Sequence, residues 1–333
     1  RYKMIYKIPT LKFYHIYLCI GVKEILGYFY ILTFNYTYIC VATNTKMTVN
    51  EWKYCQINSD LILISGLTEL KKSKRKNFES DFENGYGNYL ISDKKNLWNY
   101  TGEAKNLSKR LKQHSREKTS TFYKNYSKFA QQNGNLKKLM KISDFDVRTI
   151  NTAIGRKELE EFGIVNIPAN LNKFQLGKRD LFKNKANKKL WTDIQLNKSQ
   201  IIEQGEKELK KAKRYDWFSA QIKSSAGIYW VEHKTKGLIY IGESSDINKR
   251  YETHSGRTYF SALRRNLGET ILGFKLQTIN GRKRYFSDIE DRKITEFLKK
   301  CSIKTLPISF GRFELEEYLI RKNSSILNRK DNK

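Results

Sequence analysis

The sequence predicts an α/β chain built as two modules in tandem, and three observations carry that expectation. An apolar run, a polar turn ending in glycine and a second apolar run (226–242) read as a β-hairpin, and a helix-start signal, ESSD, follows at once. The same pattern occurs earlier in the chain at a constant offset of 140 residues. The repeat unit spans about 120 to 140 residues, the size of one domain.

Taken in order, the first 46 residues stand outside the repeat. They hold one acidic residue, Glu24, and eight tyrosines, and Ile25–Thr45 is a charge-free run of 21 residues, long enough in principle to cross a bilayer. The run is peppered with Tyr, Thr and Asn and has no signal-cleavage pattern, so it reads as sequence upstream of a true start at Met47, with a membrane or core helix as the alternative. The first module is expected over 50–172, a basic linker over 173–190 and the second module over 191–333. Each module opens on a helical, basic preface: EWKYCQIN (51–58) echoes LWTDIQLN (190–197), and ELKKSKR (69–75) echoes ELKKAKR (208–214).

Within the hairpins, Gly87 and Tyr89 align with Gly227 and Tyr229, Tyr100 and Gly102 with Tyr240 and Gly242, and Glu103 with Glu243. On the helix that follows, Arg110 and His114 align with Arg250 and His254, four residues apart and so on one helical face. Further on, ELEEFGIVNIPANLN (158–172) aligns with ELEEYLIRKNSSILN (314–328), which pairs Glu160 with Glu316 and Asn172 with Asn328. The second copy carries about 16 extra residues within 267–301; LGFKLQTI there reads as an extra strand and NGRK as its turn.

Composition points to a polyanionic partner. Lys plus Arg number 64 against 34 Asp plus Glu, a net charge of +30, which is the electrostatic footprint of nucleic-acid binding. Candidate phosphate contacts lie in the densest basic runs: Lys71, Lys72, Lys74 and Arg75; Lys178 and Arg179; Lys210, Lys211 and Arg214; and Arg282, Lys283 and Arg284 at the insertion's turn. The bland reading of any one of them is a solvated surface charge. Four cysteines without metal-ligand or disulfide spacing fit a reducing, cytoplasmic compartment. No zinc-finger or helix-turn-helix pattern supplies separate sequence readout.

The string AGIYWVEHKTKGLIYIGESSDINKRYETH (226–254), together with Glu316 in E-x-x-L-I and the later Asn328, resembles the GIY-YIG nuclease signature. The resemblance implies two modules, each a small antiparallel sheet flanked by helices, and a phosphodiester hydrolase. It implies catalytic roles for Tyr229, Tyr240, Arg250, His254, Glu316 and Asn328, and by repeat alignment for Tyr89, Tyr100, Arg110, His114 and Glu160. Phosphodiester hydrolysis needs an activated water, neutralised phosphoryl oxygens and a stabilised leaving alkoxide. A hard Mg²⁺ (or Mn²⁺) ion held by one carboxylate plus waters is normal, so Glu316, and Glu160 in the first copy, are each a sufficient metal ligand. Arg250 suits a bidentate phosphate clamp, and His254 is either a proton relay or a phosphate contact.

The residue after the second triplet is often lysine in this family and here is Glu243; an acid there is either a second metal contact or a helix-start residue. In the first copy Asn88 and Thr101 replace the two isoleucines and Gly163 stands opposite Leu319, so poorer packing is expected unless the polar groups find partners. Its tyrosines, arginine, histidine and glutamate persist, as catalysis or recent duplication would each leave them. The leading expectation is a restriction-type enzyme acting on double-stranded DNA as a single-chain pseudo-dimer, with no small-molecule cofactor, no obligate protein partner and no membrane. The alternatives are a homing or mobile-element nuclease, a repair nuclease, and a noncatalytic DNA-binding protein that retains the fold.

Overall fold

The computed structural model describes residues 33–34, 37–38, 50–132, 139–168, 171–172, 179–187, 189–279 and 281–328. Residues 1–49 form a unit of their own, of which the strands β1 (Thr33–Phe34) and β2 (Thr37–Tyr38) pair antiparallel. The rest of the 25–45 run lies outside the described residues, and among those described no helix is long and apolar enough to cross a membrane.

Residues 50–333 form the second unit. Its first half runs α1 (Glu51–Ile57), α2 (Ser59–Lys72), β3 (Gly87–Asp93), β4 (Asn99–Ala104), α3 (Leu107–His114), α4 (Thr121–Gln132), β5 (Phe145–Asn151) and α5 (Arg156–Asn166). Its second half repeats the plan as α6 (Leu190–Leu196), α7 (Lys198–Lys211), β6 (Arg214–Asp216), β7 (Gly227–His233), β8 (Gly237–Ser244), α8 (Ile247–Ser255), α9 (Ala262–Thr270), β9 (Gln277–Ile279), β10 (Arg282–Tyr285), α10 (Asp288–Leu298), β11 (Cys301–Pro307) and α11 (Arg312–Asn323). The expected helix-start signals act as caps. Asn106 Oδ1 accepts the Lys109 N–H at 2.8 Å to open α3, and Asp246 Oδ1 accepts the Lys249 N–H at 3.1 Å to open α8.

Both sheets are antiparallel, in the orders β4-β3-β5 and β6-β11-β7-β8. The fourth strand of the second sheet shrinks in the first to one antiparallel bridge, Lys76 to Val147, at the equivalent place on the sheet edge. The insertion in the second copy folds into its own β9–β10 hairpin followed by α10, so LGFKLQTI contributes only a three-residue strand. The side chains of Arg282, Lys283 and Arg284 lie outside the described residues.

The prefaces do not serve their own modules alone. Helix α1 packs on α7 and α2 on α6, so the two halves share one core, with smaller cores behind each sheet. Several contacts across the seam occur twice with the halves exchanged, as in a self-complementary interface. Trp191 covers Gly66, where an added Cβ would lie 2.5 Å from the ring, and Trp52 covers Gly205 at 2.7 Å. Gln56 Nε2 donates to the Phe310 carbonyl at 3.0 Å while its Oε1 accepts the Phe310 N–H at 3.1 Å. Gln195 does the same to Ile154, at 3.0 and 2.9 Å.

Two buried arginines complete the seam. Arg156 Nε reaches Glu314 at 2.9 Å and its Nη2 reaches Glu317 at 2.8 Å, both in the opposite half. Arg312 reaches Glu158 at 3.4 Å and Glu161 at 2.6 Å. Each also binds a carboxylate of its own half, Glu103 at 3.4 Å and Glu243 at 2.9 Å. Basic residue Arg179, expected in a DNA-tracking linker, instead lies in this seam. It donates to Asp60 Oδ1 at 3.0 Å and to the Ser309 carbonyl, because the linker passes where the two halves leave acceptors open. Lys178 lies outside the described residues.

The polar drift in the first copy finds partners. Asn88 Nδ2 donates to the Arg156 carbonyl at 2.8 Å, and Thr101 exchanges backbone hydrogen bonds with the Asn172 amide at 2.9 and 2.7 Å. Gly163 lets α5 approach Thr101, whose methyl would lie 3.1 Å from an added Cβ. The Asn88 Oδ1 remains buried without a partner, so the replacement is only partly compensated.

Gly66→Ala and Gly205→Ala should each force a tryptophan ring from its place and cost about 1–3 kcal/mol, beyond any gain in helix propensity. Urea denaturation of each variant checks this; unchanged midpoints would contradict the reciprocal packing.

Candidate active site

In the second module five elements converge. Strand β7 carries Tyr229, β8 carries Tyr240, α8 carries Arg250 and His254, α11 carries Glu316, and Asn328 follows α11. Gly242 has to be glycine, since a Cβ there would lie 2.3 Å from the Tyr229 hydroxyl. The two tyrosine rings stack with centroids 6.0 Å apart. The Tyr229 hydroxyl lies 2.9 Å from His254 Nε2, and His254 Nδ1 lies 2.7 Å from Ser261 Oγ. Ser261 in turn accepts the Arg264 N–H at 3.0 Å as the cap of α9.

Glu316 is half-buried at this cluster, and its Oε1 accepts the Glu243 backbone N–H at 3.0 Å. The Glu243 side chain turns away to Arg312, so neither a metal contact nor a helix start describes it; it anchors the strand that presents its N–H to Glu316. Asn328 clasps the β8 backbone, accepting from the Ile241 N–H at 2.9 Å and donating to the Ile241 carbonyl at 2.7 Å. It holds β8 at the residue that follows Tyr240. Arg250 is part-exposed, and among the described residues its guanidinium makes no hydrogen bond or ion pair.

The electrostatics keep the cluster neutral. Burial lowers the His254 pKa to about 3, with Arg250, Arg264 and Arg265 adding to the effect. Only 1% exposed, that ring cannot touch a phosphate, which removes one of its two expected roles. Burial, and then the Glu316 charge, push Tyr240 up to about 12, and burial and Tyr240 raise Tyr229 well above the ordinary range. Neither tyrosine is a phenolate at neutral pH. A neutral imidazole has one donor and one acceptor nitrogen, so the line Tyr229–His254–Ser261 can pass a proton by exchanging tautomers without creating buried charge.

The first module builds the same line. Tyr89 lies 2.9 Å from His114 Nε2, and Ser120 Oγ lies 3.4 Å from His114 Nδ1. Burial, with Arg110 second, lowers His114 to about 3. Asn172 clasps Thr101 as Asn328 clasps Ile241. Two groups differ. Arg110 donates to the Tyr89 hydroxyl at 3.3 Å and to Gln113 at 2.7 Å, and the Glu160 carboxylate is ion-paired to Lys157.

Among the described residues no group of three or more His, Cys, Asp or Glu could cage a metal. The second module fits a hard cation bound mostly by water: a part-exposed carboxylate, Glu316, beside tyrosine hydroxyls. In the first, Glu160 is buried and ion-paired to Lys157. Ser120, Ser261, Lys157 and the two seam arginines escaped sequence reading. The serines do align at an offset of 141, and Lys157 stands opposite Phe313, so the repeat alignment held the signal.

The expected basic contacts divide. Lys71, Lys72 and Lys74 are exposed, while Arg75 binds Asn96 at 3.1 Å and Asp146 at 3.5 Å. Lys210 pairs with Glu206 at 2.8 Å, Lys211 with Glu208 at 3.2 Å, and Arg214 donates to Ser302 at 2.7 Å.

A strand-strand-helix unit with paired tyrosines, an arginine, a buried histidine and a later glutamate defines a nuclease, a phosphodiester hydrolase. Comparison with known families agrees: residues 209–333 and residues 85–147 each match a family described as a GIY-YIG catalytic domain. The chain belongs to the GIY-YIG nuclease superfamily and carries two of its domains. No curated protein and no solved structure matches it. The match in the first half ends at 147, so Glu160 and Asn172 are assigned by the internal repeat and by geometry.

The buried imidazoles predict a pH dependence with a definite sign. With folded pKa values near 3 against 6.5 for an ordinary histidine, their contribution to stability is complete above pH 6.5 and is lost as pH falls toward 3. Glu158, Glu160 and Glu243, raised chiefly by burial, act in the opposite sense, so the readout is a difference. Urea midpoints of the parent should fall more steeply between pH 7 and pH 5 than those of His254→Gln; parallel slopes would contradict the neutral buried ring.

Proposed function

We propose that this chain is a Mg²⁺-dependent DNA endonuclease of restriction type, which addresses duplex DNA with both domains of one chain. The observation that carries this reading is the second domain's site, complete in every expected side chain and joined to its twin through a self-complementary seam. A homodimeric nuclease brings two sites together by association; fusion of two domains replaces that step with a high local concentration. Arg250 clamps the scissile phosphate and Glu316 holds the cation with water filling the remaining positions. When bound, the cation supplies charge neutralisation at the phosphoryl oxygens. Tyr240 and Tyr229 orient the attacking water through their hydroxyls, and His254 with Ser261 holds Tyr229 in place. Lys71, Lys72 and Lys74 extend the phosphate-binding surface. A cytoplasmic location is part of the proposal, and both cysteines among the described residues are buried thiols raised to about 12 by burial, which suits a reducing compartment.

A noncatalytic binder has no use for a part-exposed Arg250 beside Glu316. With supercoiled plasmid and Mg²⁺, Glu316→Ala should reduce strand cleavage by about 10²–10³-fold, a loss on the scale of removing one key electrostatic group. Cleavage at the parent's rate would reject the mechanism. Lys72→Glu with Lys74→Glu should weaken DNA binding across all sequences and flatten its salt dependence by about one to two phosphate contacts. A salt titration of binding measures this; an unaltered slope would remove those lysines from the interface.

A further inference from the structure

We propose that Phe260, held by Tyr259 and Tyr285 beside the second domain's site, is a stacking platform for one nucleobase next to the phosphate that Arg250 clamps. This role rests on the endonuclease reading above and adds what the site recognises: DNA whose bases leave the helix easily at the cut.

Among the described residues no aromatic side chain is more exposed than Phe260, at 69%. It ends a short 3₁₀ turn, Thr258–Phe260, between α8 and α9. Its ring meets that of Tyr259 at 88° with centroids 4.4 Å apart, and Tyr259 meets Tyr285 of β10 at 36° and 4.9 Å. Contacts of this kind fix a ring's orientation, yet most of Phe260 still stands in water. A ring that served only the fold would be covered, as Phe286 is one residue past Tyr285.

The backbone ties this cluster to the catalytic line. Ser261, the next residue, lies 2.7 Å from His254 Nδ1, and His254 Nε2 lies 2.9 Å from the Tyr229 hydroxyl. Arg265 Nη1 donates to the Tyr259 carbonyl at 2.8 Å, and its charge is among those that add to burial in lowering His254. Arg257 is exposed just before the turn. A flat apolar ring among cations, beside a phosphate clamp, matches a nucleotide, whose base stacks while its phosphate pairs. A protein partner would need a wider apolar patch than one ring offers.

The first domain has no counterpart. With Ser120 and Ser261 in register, Lys118 and Thr119 stand where Tyr259 and Phe260 do, and the hairpin that brings Tyr285 belongs to the insertion in the second copy. Thr119 instead donates to the Gln113 carbonyl at 2.9 Å. Base stacking is thus a property of one half of the chain.

An unpaired base costs least to take out of the stack, so a bulge probes the platform directly. Fluorescence anisotropy in EDTA compares binding of the full chain to a duplex with one unpaired adenine and to the matching perfect duplex. The parent should prefer the bulged duplex by about 5–150-fold, the weight of one base–aromatic stack. Phe260→Ala and Phe260→Leu should lose the preference and Phe260→Trp should keep it, all with the parent's salt dependence because no charge changes. A parent without preference, or a Phe260→Leu variant that retains it, would overturn the proposal. So would sedimentation showing a dimeric parent and a monomeric Phe260→Ala variant, which assigns the ring to a second copy of the chain. With Mg²⁺ added, a parent that prefers the bulge but leaves plasmid uncut counts against the endonuclease reading alone. A parent that cuts and shows no preference counts against the platform alone.

Discussion

The structure depends on two buried guanidinium groups. Arg156 and Arg312 each open a helix, where the backbone dipole disfavours a cation, and each lies away from water. Two carboxylates from the other half and one from its own make that placement tolerable: Glu314, Glu317 and Glu103 for Arg156, and Glu158, Glu161 and Glu243 for Arg312. Neither domain can satisfy its own arginine alone. The two halves are therefore one cooperative body, and the shared core of Trp52, Trp191 and the preface helices is its apolar counterpart.

The same arginines touch the chemistry. Each binds the glutamate that follows the second tyrosine–glycine element, Glu103 or Glu243, and in the second half the backbone at Glu243 holds the Glu316 carboxylate. The seam glutamates Glu161 and Glu317 immediately follow the candidate ligands Glu160 and Glu316 on the same helices. Joining the halves thus sets the rotation of both ligand helices. A lysine after the second triplet would set an ammonium against the buried Arg312 guanidinium, a repulsion of like charges.

Both sites were built around a neutral proton line from tyrosine through histidine to serine, and burial keeps that line uncharged. In the first site Glu160 is ion-paired to Lys157 and Arg110 donates to the Gln113 amide. Electrostatic partners change with single substitutions and leave packing nearly untouched.

Short-range information was legible in the residues themselves. The hairpins, the helix start at Asp246, the duplication and the alignment of tyrosines, arginine, histidine and glutamate all follow from spacing along the chain. The core shared by the two modules, the seam position of Arg179 and the Arg312 partner of Glu243 rest instead on contacts between residues 69 to 254 positions apart. Sequence by itself determined which side chains the two sites contain. Tertiary structure decided which of them meet, that the prefaces of the two halves share one core, and that each buried arginine is met by carboxylates of the other half. Those outcomes turn on where a long-range, buried counterion happens to arrive, and no local pattern encodes the energy of a charge removed from water.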